Sequence, residues 1–186
     1  MKQYILPSIR LTLVCIFVFI VLYPLLIWGI AQAAPAKGEG EPVTVNGKMV
    51  GYKLIGQSFT NDNYFNGRPS AVGYNAAGSG GSNKGPSNPD YLQLVKDRID
   101  TFLVHNPTVK REQIPSDLVT ASGSGQDPDI SPEAALIQVD RIAKIRNIPA
   151  SILTDVVDKQ TEQSLFGPAH VNVLKANIEL DKLSAK

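Results

Sequence analysis

The feature that most constrains this chain is an uncharged apolar segment near its amino terminus, from Leu11 to Ala31. As a helix it would extend about 31 Å at about 1.5 Å per residue, which matches the roughly 30 Å core of a lipid bilayer. Tyr23 and Trp28 lie toward its far end, where amphipathic rings favour the membrane interface. Pro24 predicts a kink in the last third. The pattern predicts a single transmembrane helix.

A cleaved secretory signal peptide is the competing interpretation of this segment. Lys2 and Arg10 precede it, and Ala31-Gln32-Ala33 is similar to a small-residue cleavage site. The apolar core of a signal peptide usually has about 7 to 15 residues, so the greater length here favours an uncleaved anchor. Because the amino-terminal tail is basic and Arg10 adjoins the span, we expect the amino terminus in the cytoplasm and the main domain outside.

The span divides the chain into four predicted parts. They are a cytoplasmic tail (1–10), the transmembrane helix (11–31), a linker (32–42) and one periplasmic domain (43–186). The last part is long enough to bury a sizeable core on its own. The whole chain has a formal net charge of +1, so setting aside Lys2 and Arg10 leaves about −1 outside the anchor, which excludes a strong nucleic-acid surface. The only cysteine, Cys15, lies in the span, so the outer domain has no disulfide and no thiolate metal site.

Turn signals and periodicity predict both strands and helices in the outer domain. Asn46-Gly47 between β-prone residues predicts a hairpin whose second strand continues through Lys53 toward Phe59. Helices are predicted from Pro89 to His105, from Pro132 to about Arg146, and from about Ala150.

The carboxyl-terminal segment fits two patterns. The alternation of Leu174, Ala176, Ile178 and Leu180 favours a strand, although Val173, Asn177 and Leu180 also fit a helix. With the strand preferred, the fold class is α+β: a single N-terminal transmembrane helix followed by one loop-rich extracytoplasmic α+β domain.

Two loop-rich segments of the outer domain are the main remaining candidates for a functional site. The first loop, from Asn61 to Pro89, is rich in Gly, Asn, Ser and Pro, and loops of this length are usually functional or disordered. The second, from Ser122 to Ser131, leads into a helix that Ser131 caps. Its hydroxyls and carboxylates either satisfy neighbouring backbone groups in turns, which we favour, or hold an ion or contact a partner.

Arg68 stands between Gly67 and Pro69, which restrict the directions its guanidinium can take. We expect it to make a bidentate contact with a carboxylate, and the sequence leaves open whether that carboxylate belongs to this domain or to a partner.

Signals for catalysis are weak. The glycine-rich stretch Gly78–Gly85 lacks the spacing of a phosphate-binding loop, because Lys84 is followed by Gly85. Candidate serines lack a Gly-x-Ser-x-Gly elbow, and the two histidines, His105 and His170, have no metal-ligand spacing. We therefore predict no catalytic residues and no metal site. The alternative that remains open is a membrane-anchored periplasmic serine hydrolase that uses Ser82 or Ser122.

Four ordered motifs carry a resemblance to a known family. They are Leu54-Ile55-Gly56-Gln57-Ser58-Phe59, then Tyr64 to Ala71, then Ser79 to Pro89, and finally Asp117 to Ala135. Together with the apolar segment they resemble the C subunit of the Kdp potassium-transporting ATPase, a bacterial P-type transport complex. The match weakens over residues 161–170, and Asp129 stands where the family has a histidine after Asp127-Pro128.

The resemblance implies a non-catalytic accessory subunit for ATP-driven, high-affinity potassium uptake. Such a subunit stabilises assembly and acts as a catalytic chaperone that promotes ATP use by the hydrolysing subunit. The implied partners are a potassium-binding channel-like subunit, a P-type ATPase catalytic subunit, a further small membrane subunit and the lipid bilayer. No cofactor of its own is implied, and ATP enters only through the ATPase partner. The implied location is the bacterial inner membrane.

The candidate partner-contact residues all lie within the four motifs. They are Gln57, Phe59, Tyr64, Phe65, Arg68, Ser70, Ser79, Ser82, Asn83, Asn88, Ser122, Ser124, Asp127 and Ser131.

Overall fold

The computed structural model describes residues 2–34 and 36–184. These residues form two compact units, one that ends at Glu41 and one that begins at Pro42. The combination of one apolar amino-terminal helix with a separate body of helices and strands confirms the predicted α+β class.

The amino-terminal unit is a long apolar helix. It comprises α1 (Lys2–Ile16), a π-helical segment (Phe17–Leu22) and α2 (Tyr23–Ala31). The stretch Gln3–Ala31 contains an 18-residue window with a mean hydropathy of 2.8, and it is long and apolar enough to cross a membrane. The helix begins at Lys2, well before the predicted start of the span. The π-helical segment lies immediately before the turn that contains Pro24, whose missing N–H removes an ordinary helical hydrogen bond.

The second unit opens with the predicted hairpin. Strand β1 (Pro42–Val45) pairs antiparallel with β2 (Lys48–Tyr52), and Asn46 and Gly47 both take the positive φ values that a tight hairpin turn requires, 51° and 76°. The predicted continuation of the second strand toward Phe59 is wrong. The chain turns after Tyr52, and the Gly56 N–H donates to the carbonyl of Gln126 in the second loop, 2.7 Å away.

Helix α3 (Pro89–His105) has the predicted bounds. The Asn88 side chain accepts a hydrogen bond from the Tyr91 N–H at 3.0 Å and so caps the helix, and Pro89 supplies its first position. Short 3₁₀ turns follow at Arg111–Gln113 and Ser116–Leu118.

The predicted helix from Pro132 to Arg146 is two helices, α4 (Pro132–Leu136) and α5 (Val139–Arg146). The break lies at Gln138, whose fully buried side chain donates to the Ala134 carbonyl and both accepts from and donates to the Asn66 backbone. The long-range hydrogen bonds to Asn66 stabilise the break in the helix at this position. Helix α6 (Ala150–Gln160) begins where predicted.

The carboxyl-terminal segment is helix α7 (Val173–Ser184), so the preferred strand was wrong. Val173, Ala176, Asn177 and Leu180 are buried at helical spacing, and the Asn172 side chain accepts from the Lys175 N–H at 3.1 Å. The domain also contains a three-stranded antiparallel sheet that was not predicted, in the order β3 (Asp129–Ile130), β5 (Ala169–Asn172), β4 (Thr161–Gln163).

One hydrophobic core lies between this sheet and helices α4 to α7. Its fully buried side chains include Ile142, Leu153, Val157, Val171 and Leu180. Phe65 from the first loop is also fully buried there, and its backbone is held by the Asn177 side chain. The first loop is therefore attached to the core at its beginning.

Candidate partner-contact site

The two loops identified in the sequence are joined to each other by hydrogen bonds. The Ser122 N–H donates to the Pro69 carbonyl at 3.2 Å, and the Ser70 hydroxyl donates to the Gly125 carbonyl at 2.7 Å. Farther along, the Ser124 carbonyl accepts from both the Gly80 N–H and the Ser79 hydroxyl, at 2.8 and 2.9 Å. We call the surface formed by Arg68–Ser82 and Ser122–Asp127 the loop junction.

An ion pair connects the same two loops. Arg68 Nη1 donates to Asp127 Oδ2 at 2.9 Å, so the carboxylate that the sequence left open belongs to this domain. The contact uses one oxygen of the carboxylate, so the predicted bidentate geometry is wrong. The other oxygen of Asp127 accepts from the Asp129 N–H at 3.1 Å, which forms a turn. The Tyr74 hydroxyl donates to the Arg68 carbonyl. Burial raises the pKa of Tyr74, the negative charge of Asp127 raises it further, and Arg68 opposes them.

The polar groups of the second loop are used mainly in turns and caps, as the favoured interpretation predicted. The Ser122 hydroxyl accepts from the Gly125 N–H and the Ser124 hydroxyl from the Gln126 N–H, both at 3.0 Å. The Ser131 hydroxyl caps α4 by accepting from the Ala134 N–H, at 3.1 Å. Each hydroxyl therefore shapes the backbone of its own loop.

Glycine is required where the two loops approach each other. Gly125 has a φ of +68°, and a Cβ at this position would lie 2.6 Å from a Val72 methyl and 2.8 Å from the Gly80 carbonyl oxygen. By contrast, a Cβ at Gly123 would meet nothing within 4 Å. Close packing at Gly125 is what allows the backbones of the two loops to touch.

A cleft of about 400 Å³ adjoins the loop junction. It is lined by Arg68, Pro115, Ser116, Asp117, Asp127, Asp129, Ile130, Ser131, Pro168, Ala169 and His170. Asp117 accepts from the Ser131 N–H at 2.7 Å, and His170 Nε2 lies 3.9 Å from Asp129 Oδ2.

Asp129 has a perturbed environment within this cleft. Burial raises its pKa, whereas a hydrogen bond from Asn172 and the charge of His170 act in the opposite direction. The Asn172 Nδ2 group donates to Asp129 Oδ1 at 3.0 Å. The cleft thus brings residues of the family motif together with His170 from the segment where the resemblance weakens.

The candidate residues fall into two groups. Arg68, Ser70, Ser79, Ser82, Ser122, Ser124 and Asp127 lie at the loop junction, with Ser131 in the adjoining cleft. The exposed Asn83, with a φ of 51°, follows the junction in the first loop.

The other candidate residues make contacts inside the fold. Gln57 donates to the Val50 carbonyl at 3.1 Å, Tyr64 to Asp181 at 3.1 Å, and the Phe59 and Tyr64 rings lie 5.9 Å apart. Phe65 is in the core and Asn88 caps α3.

Sequence reasoning missed Arg141, the buried centre of a polar network under the first loop. Its Nε donates to Asn106 Oδ1 at 2.9 Å, and its Nη2 donates to the Tyr64 carbonyl at 3.1 Å and to Gln138 Oε1 at 2.9 Å. Its Nη1 donates to the Asp62 carbonyl. Burial lowers the pKa of Arg141, and the charge of Asp62 opposes this. The available signal was the spacing of three between Gln138 and Arg141, which puts two long polar side chains on one side of a helix.

The arrangement does not favour the hydrolase alternative. The Ser122 hydroxyl is engaged with the Gly125 N–H, His105 Nδ1 lies 2.9 Å from Asp62, and His170 Nδ1 lies 3.3 Å from Ser164. Within residues 2–34 and 36–184, no three His, Cys, Asp or Glu side chains are grouped so as to hold a metal ion.

Comparison with known proteins gives one consistent match. A family model described as "KdpC: K+-transporting ATPase, c chain" matches residues 5–182. A potassium-transporting ATPase KdpC subunit of Flavobacterium psychrophilum is 57% identical over 176 residues, covering 94% of this chain and 96% of that protein. The same subunit of Bacteroides fragilis is 51% identical over 96% of this chain and 97% of that protein. A Bacillus cereus relative of the same name is 48% identical over 98% of this chain and 97% of that protein. These matches confirm the resemblance carried by the motifs, and the chain belongs to the KdpC family of K+-transporting ATPase subunits.

Proposed function

We propose that this chain is a non-catalytic accessory subunit of an ATP-driven, high-affinity potassium uptake complex. The observation that carries the proposal is the family match over residues 5–182, which includes both the apolar helix and the outer domain. The relatives are named as subunits of a potassium-transporting ATPase. The partners would be a potassium-binding channel-like subunit, a P-type ATPase catalytic subunit and a further small membrane subunit.

The apolar helix would anchor the chain once in the bacterial inner membrane, with a cytoplasmic amino terminus and a periplasmic domain. The basic residues before the span, with no acidic residue among them, support this orientation. Because ATP is cytoplasmic, the outer domain would not reach it. A catalytic-chaperone effect on ATP use would therefore act through contacts of the span with the membrane-embedded partners.

The loop junction would dock on the outer face of the potassium-binding subunit. This docking is supported by the preorganisation of the loop junction. The Arg68–Asp127 ion pair and several hydrogen bonds hold the two loops together, so the loops lose little conformational freedom on binding. The exposed side chains Asn83 and Lys84 follow directly after the junction and are available to a partner.

The test is co-purification of the full chain from its native membrane in mild detergent, with the recovered proteins identified by mass spectrometry. Lys84→Glu changes the rim of the proposed surface, and Lys159→Glu makes the same charge change at an exposed position of α6. We expect the wild type and Lys159→Glu to recover a P-type ATPase and a channel-like protein, and Lys84→Glu to recover about tenfold less.

Two results would contradict different parts of the proposal. A wild-type chain that is recovered without either partner would exclude the accessory-subunit function. Equal recovery by the two lysine variants would leave that function in place and exclude the loop junction as the docking surface.

A further inference from the structure

The loop between β4 and β5 exposes two large apolar side chains. Leu165 is 87% exposed and Phe166 is 97% exposed, more than any other large hydrophobic side chain in the described part of the chain. We call residues 164–168 the hairpin tip. Large apolar side chains that are exposed next to each other often mark a site of interaction with a protein or a membrane.

The hairpin tip is held firmly at its base. Gln163 and Ala169 are paired in the antiparallel register of β4 and β5. The Ser164 hydroxyl lies 3.3 Å from His170 Nδ1, so a side-chain contact closes the loop below the two apolar residues. Pro168 further restricts the backbone. A tip held in this way loses little conformational entropy when it binds.

The tip is continuous with the proposed docking surface. Pro168, Ala169 and His170 line the same cleft as Arg68 and Asp127 of the loop junction. Pro168 belongs both to the hairpin tip and to the lining of the cleft, so Leu165 and Phe166 lie within three residues of the proposed surface along the chain.

The charge of the hairpin tip indicates whether it binds a lipid surface or a protein. No Lys or Arg occurs from Gln163 to Leu174. Loops that attach to bilayers combine apolar residues with basic ones, because a small apolar contribution alone gives only weak and reversible binding. An uncharged apolar tip beside a cleft that contains Arg68, Asp127 and His170 instead matches the usual arrangement of a protein interface, with an apolar anchor next to polar groups.

We propose that Leu165 and Phe166 form the hydrophobic anchor of the interface and insert into an apolar recess on the outer face of the potassium-binding subunit of the transport complex. This inference rests on the proposed function, because it takes the partner to be a subunit of that complex.

Photo-crosslinking tests the contact directly. The full chain carrying Phe166→p-benzoylphenylalanine is irradiated in its native membrane, and the adducts are identified by mass spectrometry. Val104→p-benzoylphenylalanine is the matched control, because Val104 is also apolar and 77% exposed, on α3. We expect position 166 to crosslink to the potassium-binding subunit at least about tenfold more than position 104. Adducts with lipid only, or equal yields from both positions, would overturn the inference.

A serine variant separates this inference from the proposed function. Leu165→Ser with Phe166→Ser should lower recovery of the partner subunits at least about tenfold, while Phe166→Leu keeps most of it. The thermal midpoint of the chain should stay unchanged, since these side chains bury little area in their own fold. If wild type and serine variant recover the partners equally, the tip inference is wrong and the proposed function stands. If the wild type recovers none, both are wrong.

Discussion

Arg68 and Asp127 lie 59 positions apart in the chain, and their side chains meet at 2.9 Å. Each side chain is only about a quarter exposed, at 27% and 28%, so the pair is partly shielded from water. Because Arg68 belongs to the first loop and Asp127 to the second, this contact fixes the position of two segments that have little regular secondary structure of their own. The ion pair is thus a structural element of the loop junction and is not held open for a partner's carboxylate.

The coupling between these two residues should be measurable. We expect a double-mutant cycle of Arg68→Met and Asp127→Asn to give a coupling free energy of about 1 kcal/mol in the unfolding of the full chain, because partly buried ion pairs exceed the values of fully exposed ones. Asparagine retains an oxygen for the turn bond to the Asp129 N–H, so the cycle isolates the ion pair. The coupling should weaken with added salt, and a value of zero at low salt would contradict the role given to the pair.

Gly125→Ala should loosen the loop junction. A side chain at Gly125 meets both a positive φ and a close approach to Val72 and Gly80, so we expect the free energy of unfolding to fall by about 2 kcal/mol or more. Gly123→Ala is the matched control, since its Cβ would stand in open space. It should change stability by less than about 0.5 kcal/mol. Denaturant unfolding of both variants measures the two changes in the free energy of unfolding. Equal decreases would show that the close approach at Gly125 is unimportant.

Arg141→Met should be the most destabilising of these substitutions. The Arg141 side chain is 3% exposed and donates to the backbone of Asp62 and Tyr64, so its removal leaves several buried acceptors without a donor. We expect a loss of about 3–5 kcal/mol in the free energy of unfolding. Limited proteolysis should also show earlier cleavage near Asp62 and Tyr64.

Two further variants test the explanation at Arg141. Lys144→Met, on the exposed side of the same helix, should be nearly neutral. Arg141→Lys should restore little, because one ammonium group cannot reach acceptors that a planar guanidinium contacts on several sides. Full stability of the lysine variant would mean that the charge alone, and not the geometry, matters here.

Local signals predicted the elements whose cause is local. Asn46-Gly47 fixes its hairpin through the φ values of two residues, and Asn88-Pro89 starts α3 through a cap and a proline. The elements that were missed depend on distant partners. The break at Gln138 exists because its side chain bonds to Asn66, and β5 pairs with the two-residue strand at Asp129, which has no sequence pattern of its own.

The same distinction applies to the candidate site. The motifs identified both loops, and the restricted backbone around Arg68 correctly indicated a carboxylate contact. The identity of that carboxylate, Asp127, depends on how the loops pack and could not be obtained from spacing. Arg141 was missed because an arginine on a helix is usually solvated, and only its burial reveals its role.

Asp129 should make stability depend on pH in an unusual direction for a carboxylate. Burial raises its folded-state pKa, so the folded protein holds this proton more tightly than the unfolded chain does. The ionised group therefore destabilises the fold above its folded-state pKa, and this cost is relieved as the pH falls through that value. Asp129→Asn cannot ionise and keeps an oxygen that can accept from Asn172. We expect the variant to be more stable than the wild type at neutral pH, by less than about 1 kcal/mol because Asp129 is partly exposed.

The informative quantity is the difference in unfolding free energy between Asp129→Asn and the wild type, followed from neutral to acidic pH. It should be positive at neutral pH and shrink on acidification, because protonation of the wild-type carboxyl removes the same cost. Attraction between Asp129 and a protonated His170, 3.9 Å away, acts in the same direction by stabilising only the wild type. Asp158→Asn, exposed on α6, is the control and should give a difference close to zero throughout. A difference that grows on acidification would mean that the hydrogen bond from Asn172 outweighs burial at Asp129.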